Sequence, residues 1–351
     1  MQRREFLGGL GVAAVGAICR STFSYAQGTG TVAHRTISSN GIHLHFVEQG
    51  EGPVIVLCHG FPESWYSWRH QLPALSAAGF RTVAVDMRGY GQSDRPEAID
   101  QYTLLHLVGD IVGLLDALGV QQAVIAGHDW GAAVAWQAAL LRPDRFRAVI
   151  ALSMPYLPRY PVAPTLIMPR RSDAVFYLLY FQEPGVAEAE LERDVRQTFL
   201  KMLGIGSVAG GSRESASGPV GMVSHDSGLL SGRPTPTTLP NWLTEADIDF
   251  YASEFERTGF RGGLNWYRNI DRNWELLAPF QGAKVTVPAL YIVGDQDLIT
   301  AFPGMDRAIA NLSNNVPQLR GKLILPGCGH WTQQERPSDV NAAMIDFLRS
   351  S

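Results

Sequence analysis

What most restricts the fold of this chain is a series of short apolar runs without polar alternation, separated by helix-like segments. Val54-Ile55-Val56-Leu57-Cys58, Ala123-Val124-Ile125-Ala126 and most of Phe146 to Leu152 present apolar side chains to both faces of a strand, and Arg81 to Asp86 adds a similar run. Such strands are stable only when both faces are covered, as in a parallel sheet flanked by helices. His43 to Val47 reads as a further strand. Trp65 to Ala78, Leu104 to Leu118 and Trp130 to Leu141 read as helices, the first two stopped by Gly79 and Gly119, since glycine readily adopts the left-handed stop. The pattern returns late, with strands at Pro288 to Val293 and Lys322 to Leu325 and a closing helix from Pro337 to Leu348. The expectation is an α/β fold, a mostly parallel sheet covered by helices on both faces.

Between residues 155 and 275 the rhythm breaks. A Pro-rich entry leads to helical stretches and a Gly/Ser/Thr/Pro-rich loop from Gly204 to Pro240, and Thr244-Glu245-Ala246-Asp247 then carries a capping-box pattern. We read 155–275 as an inserted helical cap, dividing the sheet domain into 34–154 and 276–351.

Residues 1–26 read differently. Arg3-Arg4-Glu5-Phe6-Leu7 precedes an apolar stretch from Gly8 to Ile18, and Ser24-Tyr25-Ala26 is a small-x-small cleavage pattern. A charged start, short apolar core and such a site describe a secretory signal too short for a stable membrane anchor. The paired arginines resemble a twin-arginine signal, which implies export to a bacterial periplasm, with a cytoplasmic extension as the alternative. Gly9-Leu10-Gly11-Val12-Ala13-Ala14 fits a dinucleotide fingerprint, but no strand precedes it, so no nucleotide cofactor is expected.

Composition removes other classes. With 46% hydrophobic and 18% charged residues the chain has enough apolar surface to offset ordering entropy, which excludes intrinsic disorder. A formal charge of −4 is the wrong sign for a nucleic-acid footprint. Cys58 and Cys328 form no C-x-x-C pair and read as buried small hydrophobes. No metal is expected, because His43-x-His45 has no acidic or Cys partner nearby in sequence. Oligomeric state has no signal in the sequence.

The chemistry gathers where strands give way to loops. Gly127-His128-Asp129-Trp130-Gly131 lies between a strand and a helix and has the form of a nucleophile elbow with Asp in the third place. A helix N-cap is the structural alternative for Asp129. Later come Gly294-Asp295-Gln296-Asp297 after a strand and His330 in Gly327-Cys328-Gly329-His330-Trp331, the acid and the histidine in the expected chain order. Serine attacking a saturated carbon leaves an ether, which water does not readily cleave. A carboxylate leaves an ester, which a His-activated water hydrolyses, and it needs no base because it is ionised near neutral pH. The pattern points to an electrophilic sp³ carbon, in an epoxide or an alkyl halide. Cys58-His59-Gly60-Phe61-Pro62-Glu63-Ser64-Trp65 supplies the facing loop, so an oxyanion hole would use the Phe61 and Trp130 backbone N–H groups. His59, Pro62 and Trp331 are candidates for the substrate pocket, and Phe61-Pro62 for a cis bond. Asp295 and Asp297 both remain candidates to orient His330.

These motifs, with Asp86-Met87-Arg88-Gly89-Tyr90-Gly91, Phe181-Gln182-Glu183-Pro184-Gly185 and Gly329-His330-Trp331, resemble the soluble epoxide hydrolases of the α/β-hydrolase superfamily. The resemblance runs over most of the chain after about residue 36. It implies an α/β-hydrolase fold, Asp129 as nucleophile, Asp297 with His330 as the charge relay, and two cap tyrosines that hold the epoxide oxygen. By position these are Tyr177 and Tyr267, with Tyr180 or Tyr156 able to stand in. The implied partners are a small epoxide and water, without a cofactor. The alternative is a haloalkane or haloacid dehalogenase, which shares the Asp-His-Asp logic.

Overall fold

The computed structural model describes residues 20–21, 32–204, 220–231 and 233–351. The signal reading of 1–26 therefore lies outside the described residues apart from Arg20–Ser21, and so does part of the Gly204 to Pro240 loop.

The strands in chain order are β1 (Arg20–Ser21), β2 (Ala33–Ser39), β3 (Ile42–Gln49), β4 (Val54–Cys58), β5 (Arg81–Val85), β6 (Ala123–His128), β7 (Phe146–Leu152), β8 (Ala174–Phe176), β9 (Met222–Ser224), β10 (Ala289–Gly294) and β11 (Leu319–Leu325). Nine of them form one sheet in the order β1-β2-β3-β5-β4-β6-β7-β10-β11. From β5 to β11 every pairing is parallel, while β2 and β3 join as an antiparallel ribbon. The apolar runs behave as their composition demands. Val54, Val56 and Cys58 enter one buried cluster, while Ile55 and Leu57 enter a second on the opposite face. No helix of the described residues is long and apolar enough to cross a membrane.

Two expectations need correction. Trp65 to Ala78 is not one helix but a 3₁₀ turn at Trp65–Trp68 followed by a helix at Gln71–Ala77. Pro73 lacks the N–H that a continuous helix would need there, so the earlier turn closes separately. The regular elements between β7 and β10 are helices except for the antiparallel pair β8 and β9. Its longest helix, Glu245–Thr258, starts with the expected Thr244 and Asp247 capping box. This segment packs through Phe181, Phe199, Phe255, Phe260 and Trp266 into the cluster that covers one face of the sheet. Across the junction, Asp247 accepts from the Tyr66 hydroxyl at 2.9 Å and pairs with Arg69 at 3.1 Å.

Candidate active site

Open α/β sheets bind ligands beyond the carboxyl ends of their parallel strands. Here the ends of β4, β6, β10 and β11 lead into the segments that carry Phe61, Asp129, Asp297 and His330. Asp129 follows β6 directly and has φ 52°, ψ −118°, an uncommon conformation for a residue with a Cβ. Two glycines permit the turn. A Cβ on Gly127 would sit 2.0 Å from the Gly131 carbonyl oxygen, and one on Gly131 would sit 2.1 Å from that of Cys58. The Asp129 side chain makes no capping hydrogen bond to the helix Trp130–Leu141. Its Oδ1 instead accepts from the Phe61 backbone N–H at 3.0 Å, which removes the N-cap alternative. Phe61-Pro62 is a cis bond, as expected.

His330 is buried and its Nδ1 lies 2.9 Å from Asp297 Oδ1. Asp295 accepts from the Gly327 N–H at 2.8 Å, so of the two candidate acids only Asp297 meets the ring. The other ring nitrogen, Nε2, faces Asp129 Oδ2 at 3.9 Å, too long for a hydrogen bond. Burial disfavours charge on His330, but the carboxylates of Asp297 and Asp129 outweigh it and raise the imidazole to about 9. Burial likewise opposes ionisation of Asp297, and its contacts with His330 hold it below the ordinary carboxylate range.

Tyr177 and Tyr267 stand over this group from the inserted segment, their rings 6.3 Å apart. Tyr267 packs edge-on against Trp130 at 5.1 Å and Phe61 at 5.4 Å. Burial, then the Asp129 charge, pushes both phenols above their usual value, so they stand as hydrogen-bond donors. Tyr180 instead donates to Glu190 at 2.7 Å and Tyr156 to the Ala283 carbonyl at 3.0 Å. Their hydroxyls are engaged away from Asp129.

Of the pocket candidates, Pro62 is buried beside Phe61, and Trp331 packs edge-on against His330 with ring centroids 4.7 Å apart. His59 turns its ring nitrogens to the backbone. It is fully buried, its Nδ1 lies 2.8 Å from the Gly60 carbonyl, and its Nε2 accepts from the Met87 N–H at 3.1 Å. Both nitrogens are committed to the loops that carry Gly60 and Met87.

Sequence reasoning passed over Glu63, His128 and Ser153. Glu63 is fully buried, and burial alone would raise its carboxyl. The His128 ring and the Gly60 N–H reverse this and hold it low. Its other oxygen accepts from Gln333 at 3.1 Å and Gln334 at 2.9 Å. His128 Nε2 donates to the His330 carbonyl at 2.7 Å, with Nδ1 2.9 Å from Glu63. The loop after β4 is thus tied to the backbone of His330. An acid inside an apolar, glycine-containing loop was the available signal for Glu63; Ser153 had none.

The profile of the alpha/beta hydrolase fold matches residues 53–205. The chain is 47% identical over 326 residues to epoxide hydrolase A of Mycobacterium tuberculosis, covering 91% of this chain and 98% of that one. It is 44% identical over 321 residues to epoxide hydrolase 3 of Siraitia grosvenorii, with 90% and 98% covered. The crystal structure of epoxide hydrolase A from Mycobacterium thermoresistibile superposes with TM-score 0.84 at 47% identity, over 91% of this chain and 98% of that chain. The chain belongs to the epoxide hydrolases of the α/β-hydrolase superfamily.

Proposed function

We infer that this epoxide hydrolase works through a covalent ester on Asp129, and that it converts a small neutral epoxide to a vicinal diol in two steps. In the first, Asp129 Oδ2 attacks a ring carbon while the carbon–oxygen bond breaks. Tyr177 and Tyr267 grip the departing oxygen, and one phenol gives it a proton. In the second, His330 Nε2 takes a proton from water, and that water adds to the carboxyl carbon of Asp129. Oxyanion charge falls on Oδ1, facing the Phe61 N–H and, by its place after the nucleophile, the Trp130 N–H. Before this second step the imidazolium of His330 has given its proton to the phenolate. On collapse the acyl–oxygen bond breaks, and the departing alkoxide takes the proton that His330 drew from water, which releases the diol. The new carboxyl of Asp129, which keeps the water oxygen, returns its proton to His330.

One charge tunes both steps. In the free enzyme the Asp129 carboxylate helps keep His330 protonated and both phenols neutral. Esterification consumes that charge, so the proton affinity of His330 falls as the base is needed. The observation that carries this reading is Asp129, left free of the helix it precedes, with Phe61 N–H on one oxygen and His330 facing the other. Two phenols above the nucleophile, together with the relatives, favour an epoxide over an alkyl halide. A single turnover in heavy-oxygen water is expected to give unlabelled diol. Label in that first diol would mean direct attack by water and end the covalent scheme.

The sequence of residues 1–26 supports export through a twin-arginine route with removal of the signal after Ala26. Fractionation of an expressing bacterium tests this: Arg3→Lys with Arg4→Lys should move activity from the periplasm to the cytoplasm.

A further inference from the structure

Ser153 follows β7 directly, in a conformation its residue type seldom takes. Its φ is 70°, inside the region that L side chains avoid, yet it is fully buried and tied on every side. Its N–H donates to the Ile292 carbonyl at 2.8 Å, and its own carbonyl accepts from the Tyr291 hydroxyl at 2.6 Å. A non-glycine residue persists there only when the surroundings over-determine it, and such strain gathers at functional sites. The result of the strain is where the side chain goes: Ser153 Oγ lies 3.1 Å from His330 Nδ1, the nitrogen that also meets Asp297 at 2.9 Å.

Ser153 and Asp297 thus meet the same ring nitrogen, and the hydroxyl is among the groups that lower the Asp297 carboxyl. Asp297 Oδ1 receives both His330 Nδ1 and the Ile299 N–H. Asp297 Oδ2 is buried and has no hydrogen-bond partner among the described residues, and a buried acceptor left in that state is costly. If Nδ1–H is given to Asp297, the serine proton is the one free to turn to this carboxylate.

The geometry points to Ser153 as a positioning residue of the hydrolytic step: its hydroxyl donates to Asp297, fixes the carboxylate, and keeps the His330 proton on Nδ1 so that Nε2 is left as the base. This rests on the assignment of His330 as base. Ser153 does not touch the epoxide and has no part in ester formation. The charged and titratable groups around the imidazole are Asp297, Asp129, Glu63 and Glu335, with the His128 ring tilted against it at 4.7 Å.

The test uses Ser153→Ala and Ser153→Gly in the full chain, with ester formation and ester hydrolysis followed separately in single turnovers across pH. Both variants lack the hydroxyl, but only glycine relieves the backbone. Ester hydrolysis should slow roughly tenfold in both, the lower end for loss of an outer partner that orients a ligand, while ester formation stays within about threefold. Without the serine donor, Asp297 is a stronger acceptor for Nδ1–H and stabilises imidazolium. The acidic limb of ester hydrolysis should therefore move to higher pH in both variants. A limb that stays in place, or a glycine variant hydrolysing ester at the wild-type rate, overturns the proposal. His330→Gln is run in parallel: if it fails to accumulate ester, the base assignment has failed rather than the role of Ser153.

Discussion

Two buried Asp–His pairs among the described residues are in hydrogen-bond contact, and by contact geometry alone they are hard to tell apart. His45 and Asp86 meet at 2.7 Å, His330 and Asp297 at 2.9 Å. The difference is at the far ends. Asp86 also accepts from the N–H groups of Trp65 and Gln92, and His45 Nε2 lies 3.1 Å from His34 Nδ1. Each of those atoms is occupied, so the pair locks the loop after β5 to the ribbon strand β3. His330 Nε2, in contrast, faces a carboxylate 3.9 Å away and is committed to no hydrogen bond. A carboxylate beside an imidazole is thus a structural device by default. It becomes a relay when the second nitrogen is left open toward a reacting group.

The largest test of that contrast removes an acid from each place. Asp129→Ala should abolish turnover of styrene oxide, by on the order of 10⁴-fold or more, as expected when a covalent nucleophile is lost. Asp86→Asn should leave kcat within a few-fold in the fraction that folds, as judged by circular dichroism. Equal losses in two folded variants would erase the distinction. Next in size is His330→Gln, expected to lower steady-state turnover on the order of 10³-fold while mass spectrometry finds the substrate attached to Asp129. An adduct-free protein would count against His330 as the hydrolytic base. His45→Gln should show normal turnover and no adduct. A smaller effect is expected for Tyr177→Phe and Tyr267→Phe, each about 10- to 100-fold on ester formation. The double variant should lose more than either single one, since two donors share one oxygen. A double variant no worse than the weaker single would reduce the pair to one acting phenol.

The same contrast explains what was legible in the sequence. β4 runs from Val54 to Cys58 as expected, because an apolar run with no alternation has few other places to go. Asp129 was legible because the flanking glycines record a backbone constraint as well as a chemical one. The two tyrosines, by comparison, are brought together by tertiary packing of separate helices, Tyr177–Tyr180 and Arg261–Arg268. No local pattern marks them, and only the family resemblance located them. His59 looked chemical because of its motif, while its actual partners are backbone groups that sequence does not reveal. Asn40-Gly41, both at positive φ between β2 and β3, was a readable hairpin signal that the helix-dominated pattern obscured. Ser153 is the extreme case, since its role depends on a φ value and on a ring 177 residues away.

The smallest effect separates the two pairs by pH. Burial opposes ionisation of Asp86, but His45 and the Gln92 and Trp65 N–H groups lower it to about 2. A carboxyl depressed on folding stabilises the protein above its unfolded value near 4, and this is lost as pH falls toward 2. The pH-dependent part should be roughly 2 kcal/mol, from about 1.4 kcal/mol per unit, and should vanish in Asp86→Asn. His330 is raised to about 9, so its contribution has the opposite sign. It is fully present below its unfolded value near 6.5 and lost as pH rises through 9. Urea denaturation at a series of pH values should then show Asp86→Asn differing from wild type in slope only on the acid side, whereas His330→Gln changes the alkaline side as well, since it also releases Asp297. If Asp86→Asn flattens the alkaline limb, or His330→Gln leaves that limb unchanged, the two pairs are electrostatically equivalent and the open nitrogen of His330 is not what distinguishes them.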